Sequence, residues 1–267
     1  MLSAQSFRSF DYPNATNTQP AAINNVGEIV GTYYNADGSQ HGFTLIQGRF
    51  AAVDVPGAIW TEVAWVNAQG DIVGAYSTGH GNRGFLVSAG QFTHIDYAGL
   101  KNTVATGISD EGEIVGVGSD DGINFIGFLL KDGHFSPVDV PGSSIYFQEP
   151  TMLAGGRIVG GFFDNLGSHG YLLSGQHFRT IDCPSATGGI YLSGIDALGR
   201  MTGEMTTSDG HQHGLLMSHG ECMPVDFPNS VSTYANSINR RGDIVGSYTD
   251  TDGNTHGFIA VHFAPAN

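Results

Sequence analysis

Charge is scarce in this chain, and what there is has one sign. Only 13% of the 267 residues are Asp, Glu, Lys or Arg, with 10 basic residues against 25 acidic ones and a net charge of −15. Binding to nucleic acid needs a basic face that neutralises phosphates. Ten scattered cations do not supply one, so nucleic-acid partners are excluded. The same deficit argues against docking on anionic membranes. No apolar run approaches the roughly 18 residues of a spanning helix, so no membrane partner is expected. The opening Met1-Leu2-Ser3-Ala4-Gln5-Ser6 has neither a basic nor an apolar stretch, so no signal peptide is expected within it.

Catalytic motifs are also missing. The chain has no Gly-x-Ser-x-Gly elbow, His-Glu-x-x-His, phosphate-binding loop or Cys-x-x-Cys. No cofactor and no metal are therefore expected. Asp250-Thr251-Asp252-Gly253-Asn254 and Asp120-Asp121-Gly122 lack the calcium-loop ligand spacing. Hairpin turns explain them better, because Asp-Gly supplies the positive φ that such turns need.

Glycine, by contrast, is abundant, at 40 residues. Each Gly inside a helix costs about 1 kcal/mol relative to Ala, so the composition favours strands and tight turns. The glycines are periodic. Gly-x-Ile-Val-Gly opens at Gly27, Gly70, Gly112, Gly156 and Gly242, with a drifted copy at Gly199, at spacings of 43, 42, 44, 43 and 43. A second phrase reads His41-Gly42-Phe43 and His256-Gly257-Phe258, varied to Arg83-Gly84-Phe85, Ile126-Gly127-Phe128, His169-Gly170-Tyr171 and His213-Gly214-Leu215. A third ends in Asp11, Asp54, Asp96, Asp139, Asp182 and Asp226. Each repeat holds four short runs of β-branched and aromatic residues between turn signals, which is the pattern of one propeller blade. The expected fold is a single all-β domain over residues 1–267: a six-bladed β-propeller with four antiparallel strands per blade.

The phase of the repeat predicts closure. The chain starts on Phe7-Arg8-Ser9-Phe10-Asp11-Tyr12-Pro13, a copy of the last strand of a repeat, and ends near Gly257-Phe258-Ile259-Ala260-Val261, a copy of the third. The N-terminal strand is therefore expected to supply the outer strand of the last blade and cover an open edge.

The three phrases resemble the bacterial extracellular repeat family named for its His-Ala-Phe tripeptide. The resemblance spans residues 6–262, with Gly where that name has Ala and His kept in four repeats. It implies an exported protein, extracellular or periplasmic, and no particular chemistry.

The repeated His41, His169, His213 and His256 cannot converge on one ion from separate sectors of a ring. Each is expected to hydrogen-bond within its own blade to the repeated Asp. Cys183 and Cys222 are expected to stay free: Cys222 opens an outer strand, whereas Cys183 lies five residues into its own. At about 3.3 Å per residue this separates them by roughly 16 Å along the strands, beyond the roughly 7 Å that a disulfide spans.

Function is sought where the repeat breaks. Eight residues before each turn glycine the column reads Gln19, Glu62, Val104, Gln148, Tyr191 and Tyr234, diverse where packing columns are monotonous. Trp60, Trp65, His80, Tyr146, Phe147 and Glu149 lie nearby, and Glu204 stands where other repeats carry Thr32, Ala75, Val117, Gly161 or Ser247. The expected ligand site is the top mouth of the channel, formed by Gln19, Trp60, Glu62, Tyr146, Phe147, Gln148, Tyr191 and Tyr234. Two readings stay open: a monomeric propeller that binds a carbohydrate or other small molecule, and a single-site lyase, hydrolase or cyclase-type enzyme using Glu62, Glu149, Glu204, Tyr191 and Tyr234.

A chain that begins at Asn14 is expected to lose most of its stability or solubility. Melting and solubility measurements matching those of the whole chain would overturn closure by the N-terminal strand.

Overall fold

The computed structural model describes residues 6–97, 99–138, 151–153, 156–165, 167–175 and 177–261. Among them it has 24 strands and no helix. Repeat one shows how the pattern folds. Its strands Asn17–Ile23, Ile29–Tyr34, Gln40–Ile46 and Arg49–Val53 pair antiparallel in sequence order. The Asn24–Gly27 turn closes by a hydrogen bond from the Gly27 amide to the Asn24 carbonyl, with Gly27 at φ 89°. The strands form four four-stranded sheets and one eight-stranded sheet. The eight-stranded sheet joins repeats six and one through a single parallel bridge, Asn17 to Thr255. The first strand of each repeat contacts the first strand of the next, and Ser232–Ile238 of repeat six contacts Asn17–Ile23 of repeat one. The first strands thus close a ring around a channel, and the fold is a β-propeller. The strand Ser6–Phe10 pairs antiparallel with Thr255–Val261, from Ser6 opposite Val261 to Phe10 opposite Gly257.

The phrases have steric causes. A Cβ on Gly31 would lie 2.2 Å from the Gln19 carbonyl oxygen, and one on Gly203 would lie 1.9 Å from that of Tyr191. The second glycine of Gly-x-Ile-Val-Gly is therefore where the first strand presses its backbone against the second. The cause of that pressure is a β-bulge, with register shifts between Pro20 and Ala22, Val63 and Trp65, Ala105 and Gly107, Leu192 and Gly194, and Ala235 and Ser237. The skipped residues are Ala21, Ala64, Thr106, Ser193 and Asn236. A bulge bends its strand and re-aims the side chain.

Neighbouring repeats are tied by side chains that donate to backbone carbonyls. At the lower turns, Asn24 Nδ2 reaches the Asn67 carbonyl at 3.0 Å, Asn67 reaches Ser109 at 3.2 Å and Asn239 reaches Asn24 at 3.4 Å. Where no Asn is available, arginine takes over: Arg157 reaches the Asp196 carbonyl at 3.1 Å, and Arg200 reaches Asn239 at 3.2 Å while buried against Asp196. At the opposite face, the buried hydroxyls of Thr18, Thr61, Thr103 and Thr233 accept from the amides of Tyr12, Val55, Tyr97 and Phe227 in the incoming linkers.

The repeated histidines serve as struts. His41 meets Asp54, His169 meets Asp182, His213 meets Asp226 and His256 meets Asp11, at 2.6–3.1 Å. His169, His213 and His256 also reach Asp164, Asp209 and Asp250 of the neighbouring hairpins. His256–Asp11 fastens the N-terminal strand. The rings stack on aromatic neighbours, His41 on Tyr33 at 5.2 Å and His256 on Tyr248 at 5.2 Å.

The cysteine expectation is overturned. Cys183 and Cys222 form a disulfide, with Cα atoms 6.0 Å apart. Distance along the strands was the wrong measure, because the linker after each outer strand packs against the start of the next repeat's outer strand. The equivalent residues touch as aromatic pairs elsewhere: Tyr12 with Phe50 at 5.2 Å, Tyr97 with Phe135 at 5.1 Å and Phe227 with Phe7 at 5.7 Å. The disulfide replaces such a pair at the junction where Ile190 stands in the threonine column, which has no hydroxyl to accept from the linker amide.

Two tests follow. With its cysteines 39 positions apart in sequence, the disulfide is worth about 3–4 kcal/mol by loop-closure entropy. Cys183→Ser should lower the melting temperature, and unreduced, unfolded protein should titrate no thiols. The Asp182 hydrogen bond holds His169 above the usual imidazole value. Burial pulls His213 down, but Asp226 and Asp209 outweigh it. A raised histidine pKa contributes stability that is complete below the ordinary value of 6.5 and lost as pH rises through the folded value. The melting-temperature deficit of His169→Gln and His213→Gln should therefore be largest under mildly acidic conditions and narrow above neutrality. A deficit independent of pH would mean that ring packing alone stabilises the blade.

Candidate functional site

The first strands alternate in burial. Asn17–Ile23, Trp60–Val66 and Ser232–Ile238 share one pattern, in which partly exposed residues alternate with buried ones before two buried residues close the strand. The threonine anchors fall on buried positions. The diverse column and the bulge column fall on the accessible ones, so the two columns meet at the channel.

There they enclose a cavity of about 290 Å³ lined by Gln19, Glu62, Tyr191, Thr32, Tyr34 and Trp65, with the bulge residues Ala21, Ala64, Thr106, Ser193 and Asn236. Trp65, 7% exposed, also lines a smaller cavity at the lower turns. Trp65 therefore floors the mouth, a role its position immediately after the bulge residue Ala64 does not reveal. Two bulge residues double as inter-repeat ties: Asn236 donates to the Pro20 carbonyl at 2.7 Å, and Ser193 donates to Ala235 at 3.1 Å.

Mouth side chains lean onto the preceding repeat. A Cβ on Gly161 would lie 2.5 Å from the Tyr191 ring, so the glycine at that column makes the seat for Tyr191. Glu62 leans toward repeat one, with Gln40 Nε2 donating to it at 3.4 Å. Burial raises the Glu62 carboxyl above the usual range, and this one long hydrogen bond offsets it only in part. The Glu62 charge in turn adds to burial in raising Tyr34. Among the described residues, no Lys or Arg lines the cavity.

Of the residues expected at the mouth, the structure brings together Gln19, Glu62 and Tyr191. Trp60 opens its strand opposite Ser77 and Tyr234 pairs with Ser247, and neither lines the cavity. Glu204 sits on a second strand between Tyr191 and Gly214, also outside the lining, and burial raises its carboxyl. Its equivalent in repeat one, Thr32, does line the cavity. Tyr146, Phe147, Gln148 and Glu149 lie outside the described residues.

No family model matches the chain, and no curated protein matches it. Solved structures do match in fold. The streptogramin B lyase structure aligns over 96% of this chain and 98% of its own at 12% identity and a TM-score of 0.53. The Aleuria aurantia lectin, in complex with Fucalpha1-6GlcNAc, aligns over 94% and 98% at 10% identity and a TM-score of 0.56. XC5397 of Xanthomonas campestris, a gluconolactonase, aligns over 97% and 91% at 12% identity and a TM-score of 0.57. At these identities the likeness is one of fold: a β-propeller spanning nearly the whole chain.

Proposed function

We propose that this protein is an exported six-bladed propeller that binds a carbohydrate or another small polar ligand at the mouth of its channel. The blade count rests on reading the eight-stranded sheet as two blades, because a single parallel bridge, Asn17 to Thr255, joins its halves. Export is favoured by the disulfide, since such bonds persist in oxidising compartments, and by the resemblance to the extracellular His-Ala-Phe repeats.

The observation that carries the binding reading is the mouth itself. It is one concave site in a ring of repeats, walled by Gln19, Tyr34, Glu62, Tyr191 and Asn236 over an indole floor. Hydroxyl-rich ligands need convergent amide and carboxyl hydrogen bonds around an aromatic surface, and this lining supplies them. Without a cation in the wall, anionic ligands are disfavoured. The buried carboxyl of Glu62 supports a second reading. An acid held above its usual pKa with no cationic partner is suited to donate a proton, and the fold neighbours include a lyase and a gluconolactonase.

Soaking crystals with monosaccharides and small polyols should place density in the mouth. Glu62→Gln and Tyr191→Phe should weaken binding by about tenfold to a hundredfold, the range for losing one buried polar contact. A carboxyl whose folded pKa is raised costs stability as pH climbs above its ordinary value of 4.5. Glu62→Gln should therefore melt at or above the parent temperature at neutral pH. If either variant binds as the parent does, the mouth is not the site. Turnover of a lactone or glycoside, lost in Glu62→Gln, would favour the enzyme.

A further inference from the structure

The mouth cavity is not isolated. A second, open cavity of about 460 Å³ lies at the junction of repeats six and one, and it shares Gln19 and Tyr34 with the mouth. These two side chains form a common wall between the compartments. From it the crevice runs outward between the Asn35–Gly38 and Gly253–Thr255 hairpin segments, past Thr16 and Asn17. Its lining holds amides, hydroxyls and glycine backbone, with no Asp, Glu, Lys or Arg among the described residues. The buried Asn17 Oδ1 has no hydrogen-bond partner in the protein. A buried acceptor left unmade is costly, and a donor entering the crevice would satisfy it. By contrast, the amide nitrogens of Asn35 and Asn254 are engaged in their own turns, with Ser39 at 3.0 Å and Asp250 at 3.2 Å.

We infer that the crevice is a second subsite continuous with the mouth, so that the ligand is a neutral oligosaccharide of at least two units rather than a single sugar. This rests on the reading of the mouth as a ligand site and extends it. The chemistry of the two compartments sets the class. Uncharged amides and hydroxyls match sugar hydroxyls, and the absence of cations in both linings gives a uronate or sulfated chain nothing to pair with. The terminal unit sits in the mouth over Trp65, and the next passes between Gln19 and Tyr34 into the crevice. The closure junction can carry this subsite because its strands are held by the backbone bridge from Asn17 to Thr255, while the Asn17 Oδ1 has no partner in the protein.

The test uses the whole protein and linear neutral series of one to six units: cello-, malto-, laminari- and xylo-oligosaccharides, titrated calorimetrically. At least one series should gain tenfold or more in affinity from one unit to two or three. Asn17→Ala should abolish that gain while leaving monosaccharide affinity and melting temperature unchanged. Glu62→Gln should weaken every length alike. Affinity that does not grow with length, or a gain that survives Asn17→Ala, would overturn the crevice subsite while leaving the mouth standing. Failure of all four series to bind would overturn the assignment of a neutral oligosaccharide. In that event density for another ligand in the mouth would still uphold the mouth, and its absence would remove both.

Discussion

Everything in this molecule depends on how each four-stranded sheet is tied to the next, because no sheet here buries enough surface to stand alone. The tie is a side chain at the lower turn that donates to the backbone carbonyl of the following turn. Asn24 does it for Asn67, Asn67 for Ser109, and Asn239 for Asn24 across the closure. A ring adds a demand that a linear array does not have, since the last tie must meet the first. Both ends of the chain contribute: Ser6–Phe10 completes the edge of the final repeat, and Asn239 and Asn236 reach back to repeat one.

Substitutions in the repeat show how strongly the tie is required. Where the turn column has no Asn, Arg200 reaches the Asn239 carbonyl, and its charge is met by Asp196, 1% exposed. Burying such a pair is expensive unless its remaining hydrogen bonds are made. Here the guanidinium also meets the Arg240 carbonyl at 3.0 Å, and Asp196 accepts from its own turn. Likewise, where Ile190 interrupts the threonine column, the Cys183–Cys222 bond fixes the linker.

Much of this is legible because repetition turns one structural requirement into several copies of one residue. Gly31 and its equivalents, the His–Asp struts and the Asn turns could be read from recurrence alone, and the structure supplies their causes. Non-recurrent features were harder. The disulfide was misjudged although the same columns hold Tyr12 and Phe50, or Tyr97 and Phe135. The error lay in measuring along strands and ignoring the linker that folds back between them. Glu204 and Tyr234 break the pattern as conspicuously as Glu62 and stand outside the lining, although Thr32 and Gln19 of the same two columns are in it, so the column alone does not decide which side chain reaches the cavity. Trp65 was counted only as an outlier near the mouth. Its role as floor follows from the bulge at Ala64, which no residue type announces.

The ring also dictates where function can sit. Each first strand spends its buried positions on the threonine anchor and the core, and its lower turn on the neighbour, which leaves the mouth column and the bulge column free to vary. Variation there still has a stability cost. Glu62 keeps a carboxyl in a buried setting with one long hydrogen bond from Gln40 and no cation. In the equivalent column of another repeat, Val104 meets no such penalty. A chain that retains the costly residue in one repeat of a quasi-symmetric ring has broken the symmetry of its mouth at that point. That is what recognition of a single asymmetric ligand requires, and what a ladder of identical sites around the ring would not. The closure junction is a second such point, because only there does a parallel bridge replace the ordinary contact between sheets among the described residues. The two breaks share Gln19 and Tyr34 as a wall, so the departures from symmetry adjoin and form one continuous surface.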